Sequence, residues 1–275
     1  MYEYLNDSEK VNLLTARNEE YKKAVQEHVW DGNWFANGFF EDGEPIGSSK
    51  NLEGKIYLNP QSWAIFSGIA TEEQTRRIMK AISHYLSTPY GYMLNYPAYN
   101  FHGGRCGRVQ RQRPGTFGNA AVYNHASSFK VFADVARGDA DDAIDTLQRL
   151  MPNHPDNSDT CRTSEPYTLG NVFYGPNHPR YGMNLFTWFT ATPAWAIHGG
   201  FEQIIGVRAG YSGLEIKPCI PTDWDKISLN KIYRNTLYKI SFERSLEKGI
   251  WVDGIKQNTN VIKSDKPSVD VLVKY

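Results

Sequence analysis

The chain has no surplus of charge of either sign: 30 basic and 30 acidic side chains leave a formal net charge of zero. A surface built for nucleic acid or an anionic membrane usually carries a basic excess, so neither partner is expected. No apolar run approaches the ~20 residues that a membrane span needs. The opening MYEYLNDSEKVNLL lacks a basic segment followed by an apolar core, so no secretory leader is read there and a cytoplasmic location is expected. Cysteine is scarce. Cys106, Cys161 and Cys219 are odd in number and widely spaced, which suits neither a disulfide framework nor a zinc motif.

Aromatic residues, by contrast, are plentiful. Seven Trp, 17 Tyr and 13 Phe make up 13% of the 275 residues. Many stand beside Gly, Asn, Asp or Pro, as in Trp30-Asp31-Gly32-Asn33-Trp34-Phe35 and Tyr96-Pro97-Ala98-Tyr99-Asn100-Phe101. Flat apolar faces mixed with amides and carboxylates are what a sugar pocket requires. The same rings could fill a core, and for Trp30 and Trp34 both readings stand.

Helical spacing runs over residues 8–28, with Val11, Leu14, Tyr21 and Val25 on the expected buried side. A second helix is expected over 60–69, opened by Pro60. Thr71-Glu72-Glu73-Gln74 is a capping box for a third, which the pattern carries to about Leu86. Residues 122–137 and 139–151 read as a helix pair split by Gly138 and capped by Asp139, and a last helix is expected near 191–205. Long decorated loops at 29–54, 88–121 and 152–186 separate them. After Gly206 the period changes to two, as in Tyr238-Lys239-Ile240-Ser241-Phe242 and Val269-Asp270-Val271-Leu272-Val273. The expected fold class is therefore mainly α. Residues 1–206 read as the C-terminal half of an (α/α)6 barrel, and 207–275 as a small β-sandwich-like module.

Two helix starts share a chemistry. Pro114-Gly115-Thr116-Phe117-Gly118-Asn119 leads through Val122 to His125, and Phe186-Thr187-Trp188-Phe189 leads into Thr190-Ala191-Thr192-Pro193. Unpaired N–H groups and the positive end of the dipole make a helix N-terminus receptive to an anion. A His on one start and a Thr on the other point to a bound oxyanion such as phosphate.

Six blocks carry a family resemblance: WDGNWF (30–35), EGKIYLNPQSWAIFSGIA (53–70), RPGTFGNAAVYNHASSF (113–129), EPYTLGNVFYGPNHPRYG (165–182), FTWFTATPAW (186–195) and IIGVRAGYSGLEIKPCIPTDW (204–224). With these blocks in this order, the chain resembles the inverting β-glycoside phosphorylases of glycoside hydrolase family 94. The resemblance implies an (α/α)6 barrel with a C-terminal β-module, a cytoplasmic enzyme and often a homodimer. The implied reaction is attack of inorganic phosphate on a β-glycosidic bond to give an α-glycosyl 1-phosphate. Phosphate is then a co-substrate, and neither metal nor organic cofactor is implied. His125 and Thr190 match the phosphate-contacting pair. Ala191 follows the Thr where the family usually has Gly. Asn171 falls where relatives reach the donor sugar, Trp30 and Trp34 are candidates to line the cleft, and Glu165 is read as fixing its loop.

On the acceptor side, relatives acting on cellobiose carry Lys-Glu-Asn where this chain has Phe117, Gly118 and Asn119. Arg105, Arg108, Arg111 and Arg113 crowd the preceding loop instead. Guanidinium forks suit carboxylates, so an aldonate acceptor is expected; solvated or internally paired arginines are the other reading. The family's acid, the first Asp of an Asp-Trp-Asn-Asp motif, has no counterpart in these residues. The isolated chain is therefore expected to be inactive. A natural split gene, a truncated form and complementation by an N-terminal half are all open. Two further functions stay open: the phosphorylase-like region of a β-1,2- or β-1,3-glucan-active enzyme, and a non-catalytic carbohydrate-binding remnant.

Overall fold

A computed structural model describes residues 1–100, 104–151, 154, 163, 165 and 168–275. Cys161 and Phe101 lie outside the described residues. The chain divides into two compact units, Thr15–Gly199 and Met1–Leu14 with Gly200–Tyr275.

Six α-helices occur among the described residues: α1 (Ser8–His28), α2 (Leu58–Phe66), α3 (Glu72–Ala81), α4 (Asn124–Ala136), α5 (Ala140–Arg149) and α6 (Thr192–Ile197). None is long and apolar enough to cross a membrane. The expected capping box closes the start of α3, where Thr71 and Gln74 exchange side-chain and backbone bonds. Asp139 caps α5 by accepting from Asp142 N. Beyond α3 and α6 the chain continues as π-helical turns, Ile82–Leu86 and His198–Ile204.

The mainly α reading is corrected by this structure, which is mixed α and β and does not show an (α/α)6 barrel. Segments read as loops pair instead into short ribbons. Ile56–Tyr57 pairs with Asn95–Tyr96, and Val172–Phe173 lies between Val122–Tyr123 and Asn184–Phe186. Their aromatic and β-branched residues favour extended backbone once cross-strand partners exist, and those partners are far away in sequence. A second correction concerns α1. It buries no residue, and Leu14 and Tyr21 are 50% and 59% exposed.

In the unit Thr15–Gly199 the core gathers Phe35, Ile56 and Leu58 with residues of α2, α3 and α4. Between α4 and α5 lies a buried charged network. Lys130 Nζ is 2.7 Å from Asp134 and 3.0 Å from the Thr146 hydroxyl, and it faces the Tyr92 ring. Arg137 reaches Asp134 and Asp142 from the rim.

The C-terminal unit is built on strands β1 (Val207–Ala209), β2 (Leu214–Ile216), β3 (Lys226–Tyr233), β4 (Thr236–Glu243), β5 (Gly249–Val252), β6 (Ile255–Lys256), β7 (Val261–Ile262) and β8 (Ser268–Lys274). They form a three-stranded sheet, β1-β2-β7, and a five-stranded sheet, β3-β4-β8-β5-β6. The β4–β8 pair is parallel, with Ile240 opposite Val271. Alternate residues Tyr238, Ile240 and Phe242 on β4 and Val269, Val271 and Val273 on β8 are all buried in one apolar cluster.

Candidate functional site

The start of α4 is fixed by its neighbours in the short three-stranded ribbon. Val122 and Tyr123 pair with Phe173 and Val172, and the chain then turns directly into the helix. Tyr123 at the N-cap offers no side-chain bond, so the first turn is not capped by its own residue. Asn124 does the anchoring. Its N–H donates to Asn171 O at 3.0 Å and its amide to Gly170 O at 3.1 Å.

His125 is the next residue. Its ring lies 4.8 Å from that of Phe129 and 6.3 Å from that of Trp195 on α6. The Nε2 atom is shielded from solvent and has no hydrogen-bond partner among the described residues. Burial, with no carboxylate to offset it, holds the imidazole below its ordinary pKa. A shielded ring nitrogen without a partner is costly unless a ligand or ion completes it.

Thr190 and Ala191 sit just ahead of α6. The Thr190 hydroxyl accepts from Thr192 N at 3.0 Å and pairs with the Thr192 hydroxyl at 2.7 Å. Ala191 has φ −88 and ψ 0, a right-handed conformation open to any L residue, so Ala fits where the family usually has Gly. The His125–Trp195 approach brings the two helix starts named from the sequence into one neighbourhood.

Asn171 joins them. Its N–H donates to Phe186 O at 2.8 Å, its carbonyl receives Asn124 N, and its amide nitrogen donates to Phe189 O at 3.2 Å. Its amide nitrogen is thus engaged in holding the loop that delivers Thr190. Glu165 binds the Trp188 side chain, and a backbone N–H with that bond holds its carboxyl below the usual range.

The Trp-Asp-Gly block has a different setting. Trp34 is 6% exposed, and its indole N–H is shared by Gly47 O and Lys55 O at 3.1 and 2.8 Å. It packs in the core. Trp30 is half-buried, edge-on to Phe35 at 5.0 Å. Asp31 between them is occupied by its own turn through one oxygen and by Ser48 and Ser49 through the other. Partial burial acts to raise its pKa, but bonds from Trp34, Ser49 and Asn33 N–H and the Ser48 hydroxyl outweigh it and hold the carboxyl low.

The four loop arginines divide. Arg105 pairs with Asp42 at 2.7 Å and lies over the Phe40 ring at 4.1 Å, both partners of the ion pair being about half exposed. Arg108, Arg111 and Arg113 are exposed around the single turn Val109–Arg111 and form no ion pair among the described residues. The loop is latched by Asn119, whose amide receives Tyr99 N and donates to Tyr99 O and Gln112 O. Sequence reasoning missed His178 and Arg180. Burial, then the charges of Arg113 and Arg180, keep the His178 imidazole below its usual pKa, so cationic groups gather there too.

Comparison with known proteins agrees with the family resemblance. A solved sialidase superposes with a TM-score of 0.52 at 13% identity, over 84% of this chain and 20% of that one, a likeness of fold alone. The chain is 34% identical over 220 residues to a solabiose phosphorylase of Paenibacillus borealis, covering 80% of this chain and 29% of the relative. It is 36% identical over 239 residues to a 3-O-beta-D-glucopyranosyl-beta-D-glucuronide phosphorylase of the same organism, covering 86% and 31%. The chain thus spans about a third of the length of these relatives. Residues 1–206 match the family model described as the glycosyl hydrolase 94 superfamily, catalytic domain. The chain belongs to the glycosyl hydrolase 94 superfamily.

Proposed function

We propose that this chain forms the phosphate-binding part of a β-glucoside phosphorylase that cleaves its substrate to α-glucose 1-phosphate with inversion. His125, Thr190 and Ala191 hold phosphate below the anomeric carbon. A phosphate oxygen then bonds to that carbon as the glycosidic C–O bond breaks, and an acid delivers a proton to the leaving oxygen. The acid comes from outside these residues, since none of their motifs matches Asp-Trp-Asn-Asp and Asp31 is engaged by its turn and by Ser48 and Ser49. Phosphate is itself the nucleophile, so no second carboxylate is needed.

The observation that carries this reading is the shielded, unpartnered His125 Nε2 beside the α6 start that bears Thr190. An anion there would supply the missing bond and favour the imidazolium. Calorimetry of phosphate binding to the chain tests it. The wild type should bind, and His125→Ala should bind at least ten-fold more weakly. Equal affinity in both would reject the assignment. Turnover by the isolated chain, measured as phosphate release from α-glucose 1-phosphate with an acceptor, is expected to be nil.

The acceptor is an acidic sugar such as an aldonate, met by Arg108, Arg111 and Arg113, with Arg105 braced by Asp42. Support comes from the lack of carboxylate partners for Arg108, Arg111 and Arg113 among the described residues and from the likeness to a phosphorylase named for a glucuronide. For the polypeptide containing both this chain and the acid, phosphorolysis of cellobionate should exceed that of cellobiose. A strong preference for cellobiose would refute the acidic acceptor. Sugar contact by Asn171 and Trp30 belongs to the same reading. For Trp34 its core position leaves only an indirect role.

A further inference from the structure

Phe117 and Trp188 both occupy the left-handed region, with φ of 44 and 62. That region is unfavourable for a bulky side chain, and it persists only where surrounding bonds enforce it. Here they do. Around Phe117, Gly118 N donates to Gln112 Oε1 at 2.9 Å and Asn119 N to Thr116 O at 2.9 Å. Around Trp188, Thr190 N donates to Trp188 O at 3.2 Å and Glu165 binds the side chain.

Burial does not offset this strain. Phe117 remains 36% exposed and Trp188 64%. The Phe117 ring lies 5.9 Å from that of Phe186, itself 40% exposed. Asn171 ties the Phe186 carbonyl to the start of α4, so this wall stands on the same frame as His125. Exposed rings at the cost of backbone strain, set among Asn171, Gln112 and Glu165, suit a ligand with a flat C–H face and hydroxyl edges.

We propose that Phe117 and Phe186 form an aromatic platform that stacks on a pyranose ring of the acceptor glycoside. This deepens the phosphorylase reading and rests on it for the identity of the ligand. Phe117 stands where the resemblance places a polar acceptor contact, so the platform reads the acceptor by its face as well as by its charge.

The test uses the full chain, titrated with cellobionate and with inorganic phosphate by calorimetry. Phe117→Gly adopts a positive φ without strain and removes only the ring. It should keep or raise the unfolding midpoint, leave phosphate affinity unchanged and weaken cellobionate binding about ten-fold. Phe117→Tyr should bind cellobionate within about two-fold of wild type. Cellobionate affinity unchanged in Phe117→Gly overturns the platform, as does a wild type that binds phosphate but no sugar. In both cases the phosphate site stands. A wild type that binds neither overturns both. If Phe117→Gly instead dissociates a dimer without changing sugar affinity, the rings serve a self-interface and the proposal also fails.

Discussion

The two units hold themselves together by different means. In the C-terminal unit, seven- and eight-residue strands pair over their whole length, and the buried side chains between the sheets are almost wholly apolar. In Thr15–Gly199 most strands are two residues long, and buried amides do the pairing. Gln61 bonds Phe35 N and O, Asn95 receives Ala120 N, and Asn119 latches Tyr99 to Gln112. Backbone ladders make a regular scaffold. Side-chain latches let the chain take irregular paths, and the candidate site lies on those paths.

The sharpest way to break this contrast is to remove one element from each kind of core. Lys130→Ala strips the buried partner of Asp134 and should cost about 3 kcal/mol, because a desolvated carboxylate keeps only the longer, rim-side contact to Arg137. Phe242→Ala in the sheet core should cost a similar ~3–5 kcal/mol through lost burial and a cavity. Urea unfolding measures both. Replacing Lys130 and Asp134 together by apolar residues of like volume should recover much of the loss, whereas no second substitution nearby should restore Phe242→Ala so readily. A Lys130→Ala variant as stable as wild type would remove the charged network from the contrast.

Asn119→Ala comes next. It exposes no apolar surface, yet it strands Tyr99 N, Tyr99 O and Gln112 O, two of these bonds being wholly buried. Each abandoned group costs on the order of 1–3 kcal/mol, partly relieved by water, so a total near 2–3 kcal/mol is expected. Hydrogen exchange should quicken in the 99–119 loop, and the β4–β8 amides should keep their protection. Uniform loss of protection through both units would refute the idea that the latch acts locally.

The same division explains what could be read from the amino-acid order. The β-module was legible because Val269, Val271 and Val273 repeat at the strand period. The α3 capping box and the Gly138–Asp139 break were legible because their partners lie within four residues. Buried amides such as Asn95 and Asn119 resemble turn residues until their partners, 20 and more positions away, are known. For that reason the ribbons read as loops in the sequence, and the fold as mainly α. The site followed suit. His125 and Thr190 were named by their place at helix starts. The pairing of Arg105 with Asp42 spans 63 residues and left no local trace. Nor does any sequence signal announce that Phe117 and Trp188 take a positive φ.

A smaller test contrasts a local cap with a tertiary latch. Thr71→Ala removes the capping box of α3 and should cost about 1 kcal/mol, with Thr71→Ser restoring most of it. The urea midpoint should therefore move less than in Asn119→Ala. A larger loss for the cap would reverse the ranking of tertiary over local polar bonds in this unit.

The smallest expected effect is a shift in one proton's affinity, and it bears directly on the site. Burial lowers the His125 pKa in the folded chain, so at pH 7 the ring is neutral. As pH falls through about 6.5, the unfolded chain takes up this proton while the folded chain does not, so His125 makes folding less favourable there. Above that range its contribution is flat. Phosphate bound as proposed should reverse the preference, since an anion stabilises the imidazolium and would complete the bond that Nε2 lacks among the described residues. Titration of the His125 ring by NMR should show a midpoint below the ordinary value without phosphate and a higher one with it. Arg113→Gln, on the loop assigned to the acceptor, should leave that phosphate-induced rise intact. A His125 midpoint that phosphate does not move would separate this histidine from any anion and return it to the status of a packed aromatic beside Phe129 and Trp195.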